Sequence, residues 1–100
     1  MKIALDYDDT YTRDPLLWNW FVTEAIELGH TVYCVTSRKE TMLDEVEFTL
    51  GRLIPHENII ACGYEPKRAF TQDLDIMIDV WIDDNPEMIG TTTLLRGLDG

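Results

Sequence analysis

The feature that most constrains the fold is the alternation of short apolar runs with longer segments of helical periodicity. The runs are nearly continuous in apolar residues, which is typical of strands in a parallel sheet that is covered on both faces. Strand–helix–strand repetition with short connections predicts an α/β sandwich with a mainly parallel sheet. The strands predicted from the runs are Lys2–Asp6, Thr31–Thr36, Asn58–Cys62 and Asp79–Asp83, with a weaker fifth at Thr91–Leu95.

Three helices are predicted between these strands. The first is expected to begin after Asp14, a residue type that caps helices, with Pro15 in its first position and Gly29 after its end. The second is expected to end at Pro55, and the third to begin near Pro66–Lys67. The apolar stripes that indicate the first two helices are Leu17, Phe21, Ala25 and Leu28, and then Met42, Val46, Leu50 and Leu53.

The length of the chain fits one small domain, residues 1–100, with a Rossmann-like three-layer architecture. In open sheets of this kind, ligands bind beyond the carboxyl ends of the strands. Three of the apolar runs are closed by polar residues, which are Asp6, Thr36 and Asp83. We therefore expect these three side chains to meet at one edge of the sheet, where a ligand would bind.

Composition and charge exclude several classes of protein. An apolar content of 45% with 27% charged residues is that of a globular protein rather than a disordered one. No apolar run approaches the roughly 20 residues of a membrane helix. The N-terminus becomes acidic too soon for a signal peptide, so a soluble cytoplasmic protein without a membrane partner is expected. The net charge of −11 argues against a surface that binds nucleic acid through many phosphate contacts.

The two cysteines, Cys34 and Cys62, both lie inside predicted strands. Because no secretory signal is recognised, we expect two reduced thiols in the core rather than a disulfide.

The run after the first predicted strand carries two carboxylates, Asp6 and Asp8. A two-residue spacing points both side chains the same way if the chain stays extended. Two neighbouring carboxylates repel, and the pKa of each would rise unless a cation joins them. Mg²⁺ is the hard cation that suits carboxylates, a backbone carbonyl and waters. Taken alone, however, such a pair is more typical of an Asp-rich turn.

Further polar residues follow the other predicted strands in a definite order. A threonine ends the second apolar run, and a serine and an arginine come directly after it. A lysine stands where the third helix should begin, and a second acidic pair follows the fourth run. The residues concerned are Thr36, Ser37, Arg38, Lys67, Asp83 and Asp84.

This order resembles the four motifs of the haloacid dehalogenase (HAD) superfamily of phosphotransferases. DYDDT matches the first motif, DxDx[TV], VYCVTS matches the second, Lys67 the third and WIDD the fourth. Each motif is common by chance, but all four in order at strand ends, within 84 residues, are specific. The resemblance spans essentially the whole chain, and it implies a HAD-like fold and Mg²⁺-dependent phosphomonoester hydrolysis.

The resemblance also implies a role for each residue. Asp6 would attack phosphorus to form an aspartyl-phosphate, and Asp8 would protonate the leaving oxygen and then activate water. Lys67 and Mg²⁺ would offset the carboxylates so that a phosphate dianion can bind. Arg38 is equally compatible with substrate binding and with a solvated helix start. The expected substrate-binding residues are Thr36, Ser37, Arg38 and Lys67. The expected Mg²⁺ ligands are Asp6, Asp8 through its backbone carbonyl, Asp83 and Asp84.

The sequence departs from the family pattern mainly in the absence of a cap domain. Only 25 residues separate Thr10 from Thr36 and 30 separate Thr36 from Lys67, so each gap holds one helix and little else. A site without a cap is open, and it either accepts large substrates or is closed by a neighbouring subunit. A homo-oligomer and core packing explain the three tryptophans equally well. Asp9 is expected to form a turn, and Tyr11 could line the mouth of the pocket.

Several functions remain open at this point. The leading one is hydrolysis of a nucleotide or another small phosphomonoester, which the acidic surface favours. A polynucleotide 3′-phosphatase suits the open site but is disfavoured by the charge of −11. A receiver-type signalling domain does not fit, because the third strand ends in IIACG without an acceptor aspartate and Lys67 precedes the second acidic pair. A catalytically weak HAD-fold binding module is the third candidate, because so short a chain has few pocket walls. Loss of Asp6, Asp8 or Lys67 would be its signature, and the sequence retains all three.

Overall fold

A four-stranded, all-parallel sheet forms the centre of residues 1–90, the part of the chain that the computed structural model describes. Its strands are β1 (Lys2–Leu5), β2 (Thr31–Thr36), β3 (Ile59–Ala61) and β4 (Val80–Ile82). They lie in the order β3-β2-β1-β4, so β1 is flanked by β2 and β4. The first four predicted strands are confirmed, with their ends shifted by a residue or not at all. The fifth predicted run, Thr91–Leu95, lies outside the described residues.

Three α-helices connect the strands, and they are α1 (Pro15–Glu27), α2 (Asp44–Phe48) and α3 (Lys67–Asp73). The predicted start of α1 is confirmed, because the Asp14 carboxylate accepts a hydrogen bond from the backbone N–H of Leu17 at 3.2 Å. After α1, Gly29 takes a φ of +92°, a left-handed conformation that glycine adopts without steric cost.

The helices cover both faces of the sheet. Side chains alternate along each strand, so Leu5 of β1 lies on one face and Ala4 on the other. Val22 of α1 and Val46 of α2 pack on the face of Leu5, and Phe70 of α3 packs on the face of Ala4. The sheet is thus a middle layer between two helical layers, which is consistent with a Rossmann-like α/β fold.

The buried face of α1 differs from the predicted stripe. Leu17 and Leu28, which the sequence pattern places in the core, are 46% and 76% exposed. The stripe is rotated by one residue, and Leu28 lies beyond the last residue of the helix. The side chains that contact the core follow the i, i+3, i+4, i+7 spacing of one helix face and are Trp18, Phe21, Val22 and Ala25.

The prediction of one long second helix ending at Pro55 is wrong. The α-helical part, α2, has only five residues, and short 3₁₀ turns stand before it at Glu40–Met42 and after it at Leu50–Arg52. The interruption falls at Thr49, whose hydroxyl donates to the backbone carbonyl of Glu45 at 2.8 Å. Side-chain bonds of this kind compete with the helical hydrogen bonds of the backbone, which the apolar periodicity does not register.

Both cysteines lie in the core as reduced thiols, as expected. Cys34 is on the face covered by α1 and α2, and Cys62 is on the face covered by α3. Burial raises the pKa of the Cys62 thiol to about 11, so this thiol stays protonated at neutral pH.

Core packing does not account for all three tryptophans. Trp18 and Trp81 pack against the core on opposite faces of the sheet, whereas Trp20 is 62% exposed. Self-association of the chain therefore stays a prediction. Within residues 1–90, no helix is long and apolar enough to span a bilayer.

Candidate active site

A crevice opens at the carboxyl ends of β1 and β4. The helix that follows β1 and the helix that precedes β4 lie on opposite faces of the sheet, so the chain diverges between these two strands. Such a divergence leaves a crevice where ligands bind in open α/β sheets. The backbone N–H of Asp6 donates to the carbonyl of Ile82 at 2.9 Å, which brings Asp6 next to Asp83.

The ammonium group of Lys67 lies between these two carboxylates. Its Nζ donates to Asp6 Oδ1 at 2.7 Å and to Asp83 Oδ2 at 2.6 Å. The Lys67 side chain is only 2% exposed, because it is the first residue of α3 and extends into the crevice from that helix. Burial alone would lower the pKa of Lys67, but the two carboxylates raise it above its usual value. Lys67 is therefore a fixed positive charge at the centre of the site.

The pKa of Asp6 is unusually high for an aspartate. Burial raises its pKa to about 6, although the hydrogen bond and the charge of Lys67 act in the opposite direction. A pKa near 6 leaves Asp6 mostly ionised at neutral pH, with little water to stabilise its charge.

Thr10 joins the acidic residues that follow β1 to those that follow β4. Its hydroxyl lies 3.1 Å from Asp6 Oδ2 and 3.2 Å from Asp84 Oδ1, and it can donate to one of them at a time. The same oxygen accepts a hydrogen bond from the backbone N–H of Asp84 at 3.1 Å. Thr10 was not among the site residues predicted from the sequence, although it is the last residue of the DYDDT motif.

Three carboxylates are close enough to share a cation. Asp6, Asp83 and Asp84 each offer an oxygen, and these oxygens all lie within 4.8 Å of one another. Lys67 offsets one of the three negative charges, so a divalent cation would balance the other two. Carboxylate oxygens are hard donors that suit Mg²⁺, and the donor set therefore fits this ion.

The carboxylate of Asp8 is not part of this group, because it binds Arg38. Arg38 Nη2 donates to Asp8 Oδ1 at 2.8 Å and Nε donates to Oδ2 at 2.9 Å. The guanidinium is held further by the backbone carbonyl of Met42 at 3.0 Å and by the ring of Tyr7, whose centroid lies 5.1 Å from it. These two hydrogen bonds and the charge of Arg38 lower the pKa of Asp8 below its usual value, so Asp8 is a carboxylate in this structure.

Thr36 ends β2 on the side of β1 that is away from β4, and Ser37 is the next residue. Thr36 is completely buried, and its Oγ1 accepts a hydrogen bond from the backbone N–H of Arg38 at 3.1 Å. Ser37, rather than Thr36, lines the cleft above the acidic residues. The side chain that this strand presents to the cleft is therefore one residue further along the chain.

Tyr11 lies in the core instead of at the mouth of the pocket. It is 3% exposed, its ring stacks on that of Tyr7 with centroids 5.3 Å apart, and its hydroxyl donates to Asn19 Oδ1 at 2.7 Å. The expectation for Tyr11 is wrong because the loop after β1 turns inward at both tyrosines. Asp9 has a φ of +63° and forms a turn, as expected.

Two neighbouring clefts open above the site. The first, of about 210 Å³, lies over the acidic residues and contains Lys67 in its wall. The second, of about 440 Å³, lies between the loops that follow β2 and β3 and is lined by Arg38 and Tyr64 among others. Asp8 and Ser37 line both clefts, so the clefts adjoin along these two residues.

Comparison of the chain with protein-family models, with curated proteins and with solved structures finds no match.

Proposed function

We propose that the chain is a Mg²⁺-dependent phosphomonoester hydrolase of the HAD type, without a cap domain, that forms an aspartyl-phosphate on Asp6. The observation that carries the proposal is the ammonium of Lys67, buried between Asp6 and Asp83. Phosphoryl transfer depends mostly on positioning and charge stabilisation, and this arrangement combines a carboxylate nucleophile with a fixed positive charge. The connections between the strands hold one α-helix each, which agrees with a site without a cap.

Asp6 is suited to the nucleophilic step. One of its carboxylate oxygens would bond to phosphorus while the bond from phosphorus to the leaving oxygen breaks. The leaving oxygen would take a proton from Asp8. Lys67, at 2.7 Å, favours the ionised form of Asp6 that this attack needs.

Hydrolysis of the intermediate would reverse the role of Asp8. Asp8 would accept a proton from water as the water oxygen bonds to phosphorus, and the bond between phosphorus and Asp6 would break to release phosphate. The contact with Arg38 keeps Asp8 ionised, so Asp8 can carry a proton only after this contact opens. The phosphate dianion of a substrate is a competing partner for the guanidinium, because arginine binds phosphate in the same two-pronged way.

Mg²⁺ would be held by the carboxylates of Asp6, Asp83 and Asp84. The backbone carbonyl of Asp8 would be the further ligand that the resemblance implies. When bound, it supplies positive charge that stabilises the phosphoryl oxygens and reduces their repulsion by the carboxylates. Thr10 would keep two of these ligands in place through its contacts with Asp6 and Asp84.

A small phosphomonoester is the substrate class that the surroundings favour. The cleft over the acidic residues is small, at about 210 Å³, and the chain has a net charge of −11. Both features suit a phosphoryl group on a small molecule better than a long polyanion, whose binding gains from many basic contacts. Hydrolysis of a 3′-phosphate on a polynucleotide is the alternative within the same chemistry.

A catalytically weak binding module of the same fold is the second candidate. The contact between Arg38 and Asp8 favours it, because a general acid that stays in an ion pair cannot donate a proton. The complete burial of Thr36 points in the same direction, since a buried hydroxyl does not reach a ligand without movement.

The deciding experiment is hydrolysis of p-nitrophenyl phosphate by the full chain with and without Mg²⁺, alongside Asp6→Asn. Asp44→Asn is the matched control, because Asp44 is an exposed aspartate of α2. We expect Mg²⁺-dependent turnover in the wild type and the control that is lost in Asp6→Asn. Turnover that survives in Asp6→Asn would refute the nucleophile. Mg²⁺ binding without turnover on any phosphomonoester would favour the binding module.

A further inference from the structure

The second cleft lies where the leaving group of a phosphomonoester would be. Asp8, the proposed proton donor to the leaving oxygen, lines both clefts, whereas Asp6 and Lys67 line only the acidic one. A general acid must lie within hydrogen-bond reach of the oxygen that it protonates. The group attached to that oxygen would therefore extend past Asp8 into the second cleft.

The walls of the second cleft combine an open aromatic ring with basic side chains. Tyr64 is 90% exposed, and the Nζ of Lys39 lies 5.7 Å from the centre of its ring. The two loops that form the walls are joined by a hydrogen bond of 3.3 Å from the backbone N–H of Gly63 to the carbonyl of Arg38. Two of the eight basic residues of a strongly acidic chain thus face one cleft next to the acidic site.

We infer that this cleft binds a nucleoside whose base stacks on Tyr64, and that the substrate is a nucleoside monophosphate. The inference rests on the proposed function and deepens it by assigning the leaving group. A volume of about 440 Å³ lies within the range of small-molecule sites, about 300–1,000 Å³. An exposed aromatic ring offers a stacking surface to every base, and neighbouring cations attract a phosphorylated ligand to an acidic protein.

A nucleotide differs from other small phosphomonoesters in the ring that its leaving group carries. An alkyl or sugar phosphate has no planar ring to stack on Tyr64 and gains little from it. Tyr64 is accordingly a specificity-determining residue, and its removal should change the preference among substrates.

The kinetic test compares adenosine 5′-monophosphate with glycerol 2-phosphate in wild type, Tyr64→Ala and Tyr64→Phe. In Tyr64→Ala the ratio of kcat/KM for the nucleotide to that for glycerol 2-phosphate should fall roughly 5- to 150-fold. Tyr64→Phe, which keeps the ring, should restore most of the ratio. Phe48→Ala is the control, because Phe48 is 68% exposed on α2 and lines neither cleft. An unchanged ratio in Tyr64→Ala would overturn the inference.

A binding measurement separates this inference from the proposed function. In Asp6→Asn, adenosine 5′-monophosphate titrated in the presence of Mg²⁺ should shift the NMR signals of the Tyr64 ring, whether or not the wild type turns over. Shifts in Asp6→Asn without turnover of any phosphomonoester by the wild type would support the nucleoside site and refute the phosphatase. Turnover by the wild type without a shift at Tyr64 in Asp6→Asn would support the phosphatase and overturn the nucleoside site. A 3′-phosphorylated oligonucleotide that is hydrolysed with higher kcat/KM than the nucleotide would also overturn the inference, in favour of a polynucleotide.

Discussion

The hydroxyl of Thr10 contacts Asp84, which lies 74 residues further along the chain. Thr10 Oγ1 accepts a hydrogen bond from the backbone N–H of Asp84 at 3.1 Å and lies 3.2 Å from Oδ1 of the Asp84 carboxylate. This pair ties the loop after β1 to the loop after β4. Because Thr10 also contacts Asp6, one buried hydroxyl sets the relative positions of two candidate metal ligands.

Thr10→Val should therefore weaken Mg²⁺ binding by about 10- to 100-fold, the usual effect of losing a group that orients metal ligands. Valine has nearly the same shape, so the fold should persist. Calorimetric titration with Mg²⁺ measures the affinity, and Thr23→Val, an exposed position on α1, is the control. Equal affinities in Thr10→Val and the control would contradict the role of Thr10.

Asp6→Asn should relieve a pH-dependent cost to stability in the metal-free protein. The folded pKa of Asp6, about 6, is raised above the unfolded value of about 3.9. The folded state thus favours the protonated form, and the contribution of Asp6 to stability is complete below about pH 4 and is lost as the pH rises through 6. Asparagine cannot ionise, so it avoids this loss.

Thermal unfolding in EDTA between pH 4 and pH 7.5 measures the effect. The midpoint of Asp6→Asn minus that of the wild type should increase with pH, with most of the change between pH 4 and 6.5. A difference that stays constant, or that decreases with pH, would show that Asp6 is not the buried carboxylate described here. Asp44→Asn gives the response of an exposed aspartate.

Lys67→Met should destabilise the fold severely. It removes the ammonium from between Asp6 and Asp83, whose side chains are 8% and 3% exposed. Removing one partner of a buried ion pair costs about 3–5 kcal/mol, because the remaining charge is left uncompensated. Urea unfolding at pH 7.5 measures this loss, and Lys39→Met, an exposed lysine, should lose less than about 1 kcal/mol.

A double variant tests whether the buried carboxylates cause this loss. Lys67→Met with Asp83→Asn has one buried carboxylate fewer, so it should recover part of the lost free energy of unfolding. If the double variant is no more stable than Lys67→Met, the uncompensated charge of the buried carboxylates is not the cause.

Asp8→Asn should slow substrates in proportion to how much their leaving group needs a proton. A general acid contributes roughly 10²- to 10⁴-fold, so kcat/KM for glycerol 2-phosphate should fall by about that factor. The fall with p-nitrophenyl phosphate should be much smaller, because nitrophenolate leaves without a proton. Asp9→Asn, the exposed neighbour in the turn, is the control. Equal losses with both substrates would count against Asp8 as the acid.

The strands could be predicted because they are buried on both faces, whereas the length of α2 and the place of Tyr11 could not. Near-continuous apolar runs such as the one ending at Thr36 reveal strands covered on both sides, whatever their neighbours are. The length of α2 depends on one side-chain bond of Thr49, and the place of Tyr11 depends on how the loop after β1 turns. Neither leaves a periodic signal in the sequence.

Some features of the candidate site could likewise be predicted from the sequence, and others could not. The sequence predicted that Asp6 and Asp83 lie together, since parallel strands bring their carboxyl ends to one edge. That Lys67 joins them was implied by the order of the motifs. The ion pair between Arg38 and Asp8 joins loops 30 residues apart and depends on side-chain directions that spacing does not fix. Tyr64 carries no sequence signal beyond an aromatic residue after a glycine, and only its exposure beside the cleft distinguishes it.

The two buried thiols allow local opening of the fold to be measured. Cys34 is covered by α1 and α2 and Cys62 by α3, so a thiol reagent reaches each one only when the helical layer above it detaches. The labelling rates of the single variants Cys34→Ala and Cys62→Ala would give separate opening free energies for the two layers. Since Lys67 is the first residue of α3, a ligand that locks the site should slow labelling of Cys62 more than that of Cys34.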